Sequence, residues 1–237
     1  MKKEIVLLAS VFVLGACEVP GTPASSNLAS SPAVSSAAVS SSSSIASSSG
    51  SQSSSENPSA DNSGFVKVDG ITYMISEDQT SCYVMAVDST LKSVEIPDVV
   101  NGLPVISIYS SAFASSHVTT ITLPSTMRYV GESDFDLCVN LKYYIEDGMK
   151  YLGSTSGNHK FALIDGSEAM GDFAVPEGTA IIGEGAFQEA SNLTAITIPS
   201  TVVSIGDAAF IGLKNLTSVS FASKSSLDTL GEAAFFD

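Results

Sequence analysis

The sequence predicts a β-rich α/β solenoid, in which parallel β-strands and short helical turns stack coil on coil, behind a disordered Ser-rich linker. Three observations lead to this prediction. A motif of about 23 residues occurs five times from residue 91 onward with shared apolar positions, although the first copy carries five extra residues and the last carries two. No copy is long enough to form a core of its own, so successive copies must stack. Residues 23–64, in contrast, are about half Ser.

The N-terminal segment is a predicted export signal. Two lysines precede an apolar run at residues 5–14, which is too short to span a bilayer but has the length of a secretory core. An ordinary signal peptide with an incidental cysteine, or a buried strand, would also fit. The Leu-Gly-Ala-Cys motif at residues 14–17 resembles the bacterial lipobox. The resemblance implies that residues 1–16 are a lipoprotein signal peptide and that lipid on Cys17 holds the chain on the membrane.

Residues 17–64 are expected to form the lipidated Cys and a disordered linker. The segment contains hardly any large apolar side chain, so it cannot bury enough surface to offset the entropy of ordering. About forty-five residues of flexible coil have an r.m.s. span of roughly 35–40 Å. Such a linker would lift the following domain off the membrane.

Residues 65–90 do not follow the repeat and are predicted to form an N-terminal β-hairpin cap. Runs of alternating apolar residues surround the pair Asp69-Gly70, which is typical of a two-residue hairpin turn. Cys82 and Cys138 could pair in an exported protein, but we expect each to be buried singly as a small apolar side chain.

Each repeat copy is predicted to begin with a short strand that has one buried face. In the copy starting at Leu193, apolar residues at the first, fourth and sixth positions precede a Pro that ends the strand. A second apolar pair precedes Gly206 at a turn, and an Ala-Phe pair follows in a short helical or turn segment. Ile121, Ile196 and Val219 are expected to be inward neighbours in one parallel sheet. The Phe side chains of successive copies are expected to form one interior column: Phe135, Phe187, Phe210 and Phe235.

The repeat resembles the BspA-type leucine-rich repeats of bacterial surface proteins. The shared pattern, Leu-x-x-Ile-x-Ile-Pro-x-x-Val-x-x-Ile-Gly-x-x-Ala-Phe, covers about residues 91–237, although Asp134 stands where Ala is usual. A segment at about 141–172 is similar to a hairpin insertion of that family. The resemblance implies a leucine-rich-repeat solenoid that is extracytoplasmic and lies on the bacterial cell surface. A β-sandwich also has short, evenly spaced strands, but it does not need the same Pro and Ala-Phe placement in every unit.

The expected function is that of an adhesin-like, non-catalytic protein-binding module, because members of the family are associated with adhesion to host proteins and with coaggregation. The partners expected from the resemblance are the membrane, through Cys17, and a host extracellular protein, a glycan or other bacterial cells. A structural envelope spacer is one alternative. The repeat ends at Asp237 without a polar capping repeat, so a truncated remnant of a larger surface protein or enzyme is another.

Composition and motifs argue against nucleic-acid binding and catalysis. Ten Lys and Arg stand against 25 Asp and Glu, the net charge is −15, and no basic cluster follows the first few residues. The two His lie in predicted loops without other ligands at metal spacing, and there is no Gly-x-Ser-x-Gly elbow. We therefore expect no metal, cofactor or catalytic residue.

Two surfaces are candidates for partner binding. Outward positions of the repeat strands should give a face of small hydroxyls that includes Thr120, Thr122 and Thr197, although Thr also simply suits a strand. The insertion supplies larger side chains, some of which must pack inward: Tyr143, Tyr144, Tyr151 and Phe161. Tyr151 and Phe161 are the preferred anchors. The insertion's turn is expected to project from the stack. The alternative is that the hairpin covers a gap between coils and that its aromatic side chains belong to the core.

Overall fold

Sixteen short strands and one 3-10 helix make up the regular structure of residues 64–114, 116–135 and 138–236, the part of the chain that this computed structural model describes. The predicted signal peptide, Cys17 and most of the predicted linker lie outside the described residues. In chain order the strands are β1 (Phe65–Val68), β2 (Ile71–Ile75), β3 (Cys82–Val87), β4 (Ser93–Glu95), β5 (Val99–Val100), β6 (Leu103–Ile108), β7 (Thr120–Leu123), β8 (Tyr144–Glu146), β9 (Met149–Ser154), β10 (Ala162–Asp165), β11 (Gly171–Ala174), β12 (Ile181–Ile182), β13 (Leu193–Ile198), β14 (Ser204–Ile205), β15 (Ser218–Phe221) and β16 (Thr229–Leu230).

The first three strands form an antiparallel meander that joins the repeats. Strands β1 and β2 turn at Asp69 and Gly70, whose φ angles of 50° and 80° are those of a tight hairpin turn. Strand β3 is antiparallel to β2 on one side and parallel to β6 on the other. Residues 65–90 therefore share a five-stranded sheet with β5 and β6 of the first coil. Cys82 and Cys138 are both free and buried, as the sequence predicts.

From β11 onward, each coil contributes a longer first strand and a two-residue second strand, and both kinds pair in parallel with the next coil. In the first coil the lengths are reversed, with three residues in β4 and six in β6. Val94 on β4 pairs with Ile121 on β7, and Ile196 on β13 pairs with Val219 on β15. The second strands β12, β14 and β16 also pair in register. The prediction that Ile196 and Val219 are neighbours is confirmed. The prediction that Ile121 shares their sheet is wrong, because Ile121 lies in a different sheet.

The insertion is the reason for this division. Strand β9 runs parallel to the first strand β7, pairing Thr122 with Gly153, and then turns back through β10. Strand β10 pairs in parallel with the second strand β12. The first strands before the insertion therefore continue into the second strands after it, in a sheet of eight strands. The later first strands β11, β13 and β15 form a sheet of their own.

The phenylalanine column is divided at the same point. The rings of Phe187 and Phe210 are 5.0 Å apart, and those of Phe210 and Phe235 are 4.8 Å apart and nearly parallel. This part of the predicted column is confirmed. Phe135 instead contacts Phe113 at 5.6 Å and belongs to the core cluster on the other side of the insertion. The insertion places strands of its own between the two sets of coils, so one continuous column does not form.

The Ala-Phe segments are hydrogen-bonded turns rather than helices. In the described residues the one helix is the 3-10 turn Glu132–Phe135. The Phe187 N–H donates to Ala209 O and the Phe210 N–H donates to Ala234 O, both at 2.8 Å. These amides bond to the next coil, so they are not available for an intrahelical ladder. The predicted short helical turns are, with that one exception, turns.

The Gly after the second strands β12 and β14 is required by the spacing of the coils. A Cβ atom on Gly206 would lie 2.5 Å from the backbone nitrogen of Glu184 and 2.8 Å from its Cα. A Cβ atom on Gly183 would lie 3.0 Å from Val130 O and 3.1 Å from Leu163 O. Only a residue without a side chain allows neighbouring turns to approach this closely. None of the described helical residues forms a segment long and apolar enough to cross a membrane.

Candidate interaction surfaces

On the neighbouring strands β4 and β7 of the eight-stranded sheet, outward hydroxyls are bonded to one another across the coils. Thr120 is exposed, and its Oγ1 donates to Ser93 Oγ at 2.8 Å, while Thr122 is half-buried opposite Glu95. Cross-strand hydroxyl pairs of this kind stabilise a sheet. These side chains therefore help to hold β4 and β7 together.

The outward hydroxyls of the later sheet form a second, separate face. Thr197 Oγ1 and Ser220 Oγ are 3.0 Å apart, and Thr194 Oγ1 donates to Asp172 Oδ1 at 3.3 Å. Thr197 lies on β13, whereas Thr120 and Thr122 lie on β7, and the insertion separates these strands into different sheets. The three Thr candidates therefore do not make one continuous surface.

Tyr151 and Phe161, the two preferred anchors, are buried. Tyr151 is 1% exposed and Phe161 is 7% exposed, and they pack in the core clusters on the two sides of the insertion. Burial, with the negative charges of Glu146 and Asp147 as a smaller cause, raises the pKa of Tyr151 to about 12, so its phenol is neutral. Neither side chain can reach a partner without unfolding of the hairpin. The interpretation of these aromatic side chains as anchors is corrected to a core role.

The exposed apolar surface of the insertion is built from other residues. Tyr144 is 44% exposed and Ile145 is 64% exposed, both on the edge strand β8. The ring of Tyr144 stacks on His159 at 5.8 Å and rests against Tyr151 at 6.4 Å. We call Tyr144, Ile145 and His159 the insertion surface. Tyr144 and His159 share one face of β8, and Ile145, opposite Lys150, lies on the other face of this exposed edge. The sequence indicated Tyr144 but not Ile145 or His159, because the exposure of Ile145 follows from β8 being an edge strand and the position of His159 from stacking across the hairpin.

Ion pairs fix the strands beneath this surface. Lys160 Nζ lies 2.8 Å from Glu146 Oε2, and Lys150 Nζ lies 2.7 Å from Asp165 Oδ2. Burial acts to raise the pKa of Asp165, but hydrogen bonds from Lys150 and Ser167 outweigh it, and the pKa lies below its ordinary value. The carboxylate of Asp165 is therefore charged in the folded protein near neutral pH.

The turn of the insertion, residues 154–158, is bound to its neighbours. The Thr155 N–H donates to Leu123 O at 2.9 Å, and Asn158 Nδ2 donates to Gly178 O at 2.6 Å. The expectation that this turn projects from the stack is therefore wrong, because its polar groups bridge the coils before and after it. The alternative, that the hairpin covers a gap between coils, describes the structure.

The described residues contain no group of three or more His, Cys, Asp or Glu side chains placed to hold a metal ion. His117 Nδ1 lies 3.0 Å from Ser89 O, and His159 stacks on Tyr144. What the described surface offers is hydroxyl faces, an apolar surface on the insertion and a rigid scaffold.

Stacked coils with an apolar first strand, a Gly at the contact between turns and a Phe column define a leucine-rich-repeat solenoid, a class of interaction module. The chain belongs to the family described as BspA type leucine rich repeat region, whose model matches six copies over residues 83–163 and 164–237. The matched region starts within β3, before residue 91, and contains one copy more than the five read from the sequence.

Three solved structures are similar to the chain. A leucine-rich repeat protein of T. pallidum is 20% identical with a TM-score of 0.36, over 71% of this chain and 86% of its own. A leucine rich cell surface protein of Faecalibacterium prausnitzii is 20% identical with a TM-score of 0.35, over 76% of this chain and 55% of its own. A leucine-rich repeat protein of Bacteroides capillosus is 23% identical with a TM-score of 0.36, over 68% of this chain and 99% of its own. A comparison with curated proteins finds no match.

Proposed function

We propose that the chain is a lipid-anchored, non-catalytic binding module of the bacterial cell surface, with an adhesin-like role. Three features support the proposal: the BspA-type repeat family, the lipobox motif at residues 14–17 and the Ser-rich segment that separates this motif from the repeats. The family favours an extracytoplasmic location, and the motif supplies a means of anchoring there.

The observation that carries the binding role is the insertion surface. Tyr144 and Ile145 expose large, mainly apolar side chains to solvent. Their strand, β8, is held in place by an ion pair and by ring stacking. Interface anchors are typically aromatic or large apolar side chains that are ordered before the partner arrives. A host extracellular protein is the partner that this surface fits best, because it would bury the apolar area.

Anchoring is tested by labelling cells with radioactive palmitate. The wild-type chain should incorporate label and sediment with membranes, because two acyl chains suffice for stable attachment. The Cys17→Ala variant should incorporate none and should leave the membrane fraction or remain unprocessed. Cys82→Ala is the matched control and should label like the wild type. A wild-type chain without label, or a Cys17→Ala variant that labels and partitions identically, contradicts lipid anchoring.

Binding is tested with lipid vesicles that carry the purified full chain. Host matrix proteins, mucins and whole bacterial cells are immobilised, and saturable capture of the vesicles is measured against vesicles without protein. Saturable capture by a matrix protein supports the proposal as stated. Capture by mucin glycans alone would replace the protein partner with a glycan, and no capture on any surface would favour the envelope spacer.

A further inference from the structure

A shallow cavity of about 180 Å³ lies beside the second strands, where three residues depart from the repeat pattern. Tyr109 occupies the position of the repeat Gly, Asp134 occupies the position of the repeat Ala, and Tyr129 occupies the position that Ser204 holds in a later copy. All three departures line this one cavity. Because regular coils present the same surface at every repeat, a cavity formed by departures is where this chain can be specific.

Two tyrosines supply the aromatic part of the lining. Tyr109 is 56% exposed and Tyr129 is 46% exposed. Tyr129 is held opposite Ser107 by a parallel bridge, and the Tyr109 N–H donates to Val84 O at 2.8 Å. The backbone of both residues is therefore fixed by neighbouring coils. Tyrosine side chains on a rigid backbone bind a partner at low entropic cost.

Carboxylates supply the charged part of the lining, which includes Glu184, Asp207 and the buried Asp134. Asp134 Oδ2 accepts a hydrogen bond from the Gly131 N–H at 2.8 Å. A Cβ atom on Gly131 would lie 2.7 Å from Glu184 Cβ, so the glycine is what lets the Glu184 side chain lie close to the cavity floor. No Lys, Arg or His lines the cavity.

The negative charge continues along the solenoid from this cavity. The residue after the repeat Gly is acidic and exposed in four copies: Glu132, Glu184, Asp207 and Glu232. We call these four residues the acidic column. The ion pairs of the described part of the chain use other carboxylates: Asp88, Glu146 and Asp165. The column therefore adds to the negative potential of a chain whose net charge is −15.

We propose that this cavity binds the side chain of an Arg or Lys in a basic segment of a protein partner. A guanidinium or ammonium group is attracted to the faces of Tyr109 and Tyr129 and pairs with the carboxylates of Glu184 and Asp207. The acidic column attracts the basic residues on either side of the inserted one. The inference rests on the proposed function, which supplies the partner, and it deepens that function by stating the partner's chemistry.

The test uses the full chain in detergent micelles and a blocked peptide with three Gly-Arg repeats. Its twin, in which citrulline replaces each Arg, has the same shape without the charge. Tyrosine rings labelled with carbon-13 are followed by NMR during titration, and the signals of Tyr109 and Tyr129 are assigned from Tyr→Phe variants. The Arg peptide should shift both signals saturably and bind at least about tenfold more tightly than its twin. The signal of the buried Tyr73 should not move and reports that the fold is intact.

The role of the carboxylates in the lining is tested by neutralising them. The double variant Glu184→Gln/Asp207→Asn should weaken the Arg peptide at least about tenfold, whereas Glu95→Gln on a distant strand should not. Raising the ionic strength should weaken binding, because exposed charges are screened. The inference is overturned if the signals of Tyr109 and Tyr129 do not move, or if the citrulline twin binds as tightly as the Arg peptide. If only a neutral sugar shifts these signals saturably, the cavity is a glycan site and the inference is also wrong. If the vesicles are captured but the Arg peptide does not bind, the inference about the cavity is wrong and the proposed function stands. If the peptide binds but the vesicles are not captured, the proposed function is wrong and the cavity remains a binding site for basic side chains.

Discussion

Phe210 packs between two other aromatic rings in the later coils. It is almost fully buried, and its ring lies between those of Phe187 and Phe235 at 5.0 and 4.8 Å. Phe210→Ala should lower the free energy of unfolding by about 3–5 kcal/mol, because it removes apolar contacts and leaves a cavity. Urea denaturation measures this value. The exposed Phe236→Ala is the control and should change it little; a Phe210→Ala loss below about 1 kcal/mol would contradict the stacked column.

Asp165 should make stability depend on pH in the acid range. Its pKa is lower in the folded protein than in the unfolded chain, so its contribution is present above the unfolded value, about 3.9, and is lost as pH falls through the folded value. As the pH falls from about 6 to about 2, the free energy of unfolding of the wild type should decrease by up to about 1 kcal/mol more than that of the Asp165→Asn variant. Thermal unfolding across this range measures the difference, with the exposed Asp228→Asn as control. Parallel curves for the wild type and Asp165→Asn would contradict it.

At the scale of the element, the insertion's turn acts as a bridge between coils. Asn158→Ala removes the 2.6 Å bond from Asn158 Nδ2 to Gly178 O and the bond that its Oδ1 accepts from the Lys160 N–H. The loss should be about 1–2 kcal/mol of unfolding free energy, because partly buried partners lose their bonds. Asn215→Ala, which breaks an exposed bond to Ser191 O, should cost less. Equal costs for the two variants would mean that the turn does not bridge the coils.

The elements that the sequence predicts best are those set by local rules. The period of apolar residues located the repeat strands, and the Asp69-Gly70 pair located the first hairpin turn. The course of the sheets was not predictable, because it depends on β9 pairing with a first strand while β10 pairs with a second strand. Such pairing is non-local, and alternation alone does not set it.

Two candidate site residues were misplaced because their burial also depends on non-local pairing. Tyr151 and Phe161 have the size of interface anchors, but size does not tell which side of a strand faces the core. Tyr144 pairs with Tyr151 across β8 and β9, yet Tyr144 is exposed and Tyr151 is buried. The difference follows from β8 lying at a sheet edge, with no further strand beside it in the described residues.

At the scale of the whole molecule, the proposed function assigns three roles, those of an anchor, a spacer and a binding domain. The proposed lipid on Cys17 would fix the position, and the Ser-rich segment would set the distance from the membrane. The repeats contribute rigidity, since each coil is bonded to the next by strands, turns and the Phe column. In this proposal, a rigid domain on a flexible linker would search for a partner without losing the geometry of its binding surface.

The central claim, that the insertion surface binds an extracellular partner, is tested most directly by the vesicle capture assay with a double variant. Tyr144→Ala/Ile145→Ala should weaken saturable capture at least about tenfold, because it removes the exposed anchors from the insertion surface. Val99→Ala, which removes an exposed apolar side chain on β5, outside the insertion, should capture like the wild type. Thermal unfolding should show that all three chains are folded. Capture of the double variant with unchanged affinity would contradict the claim.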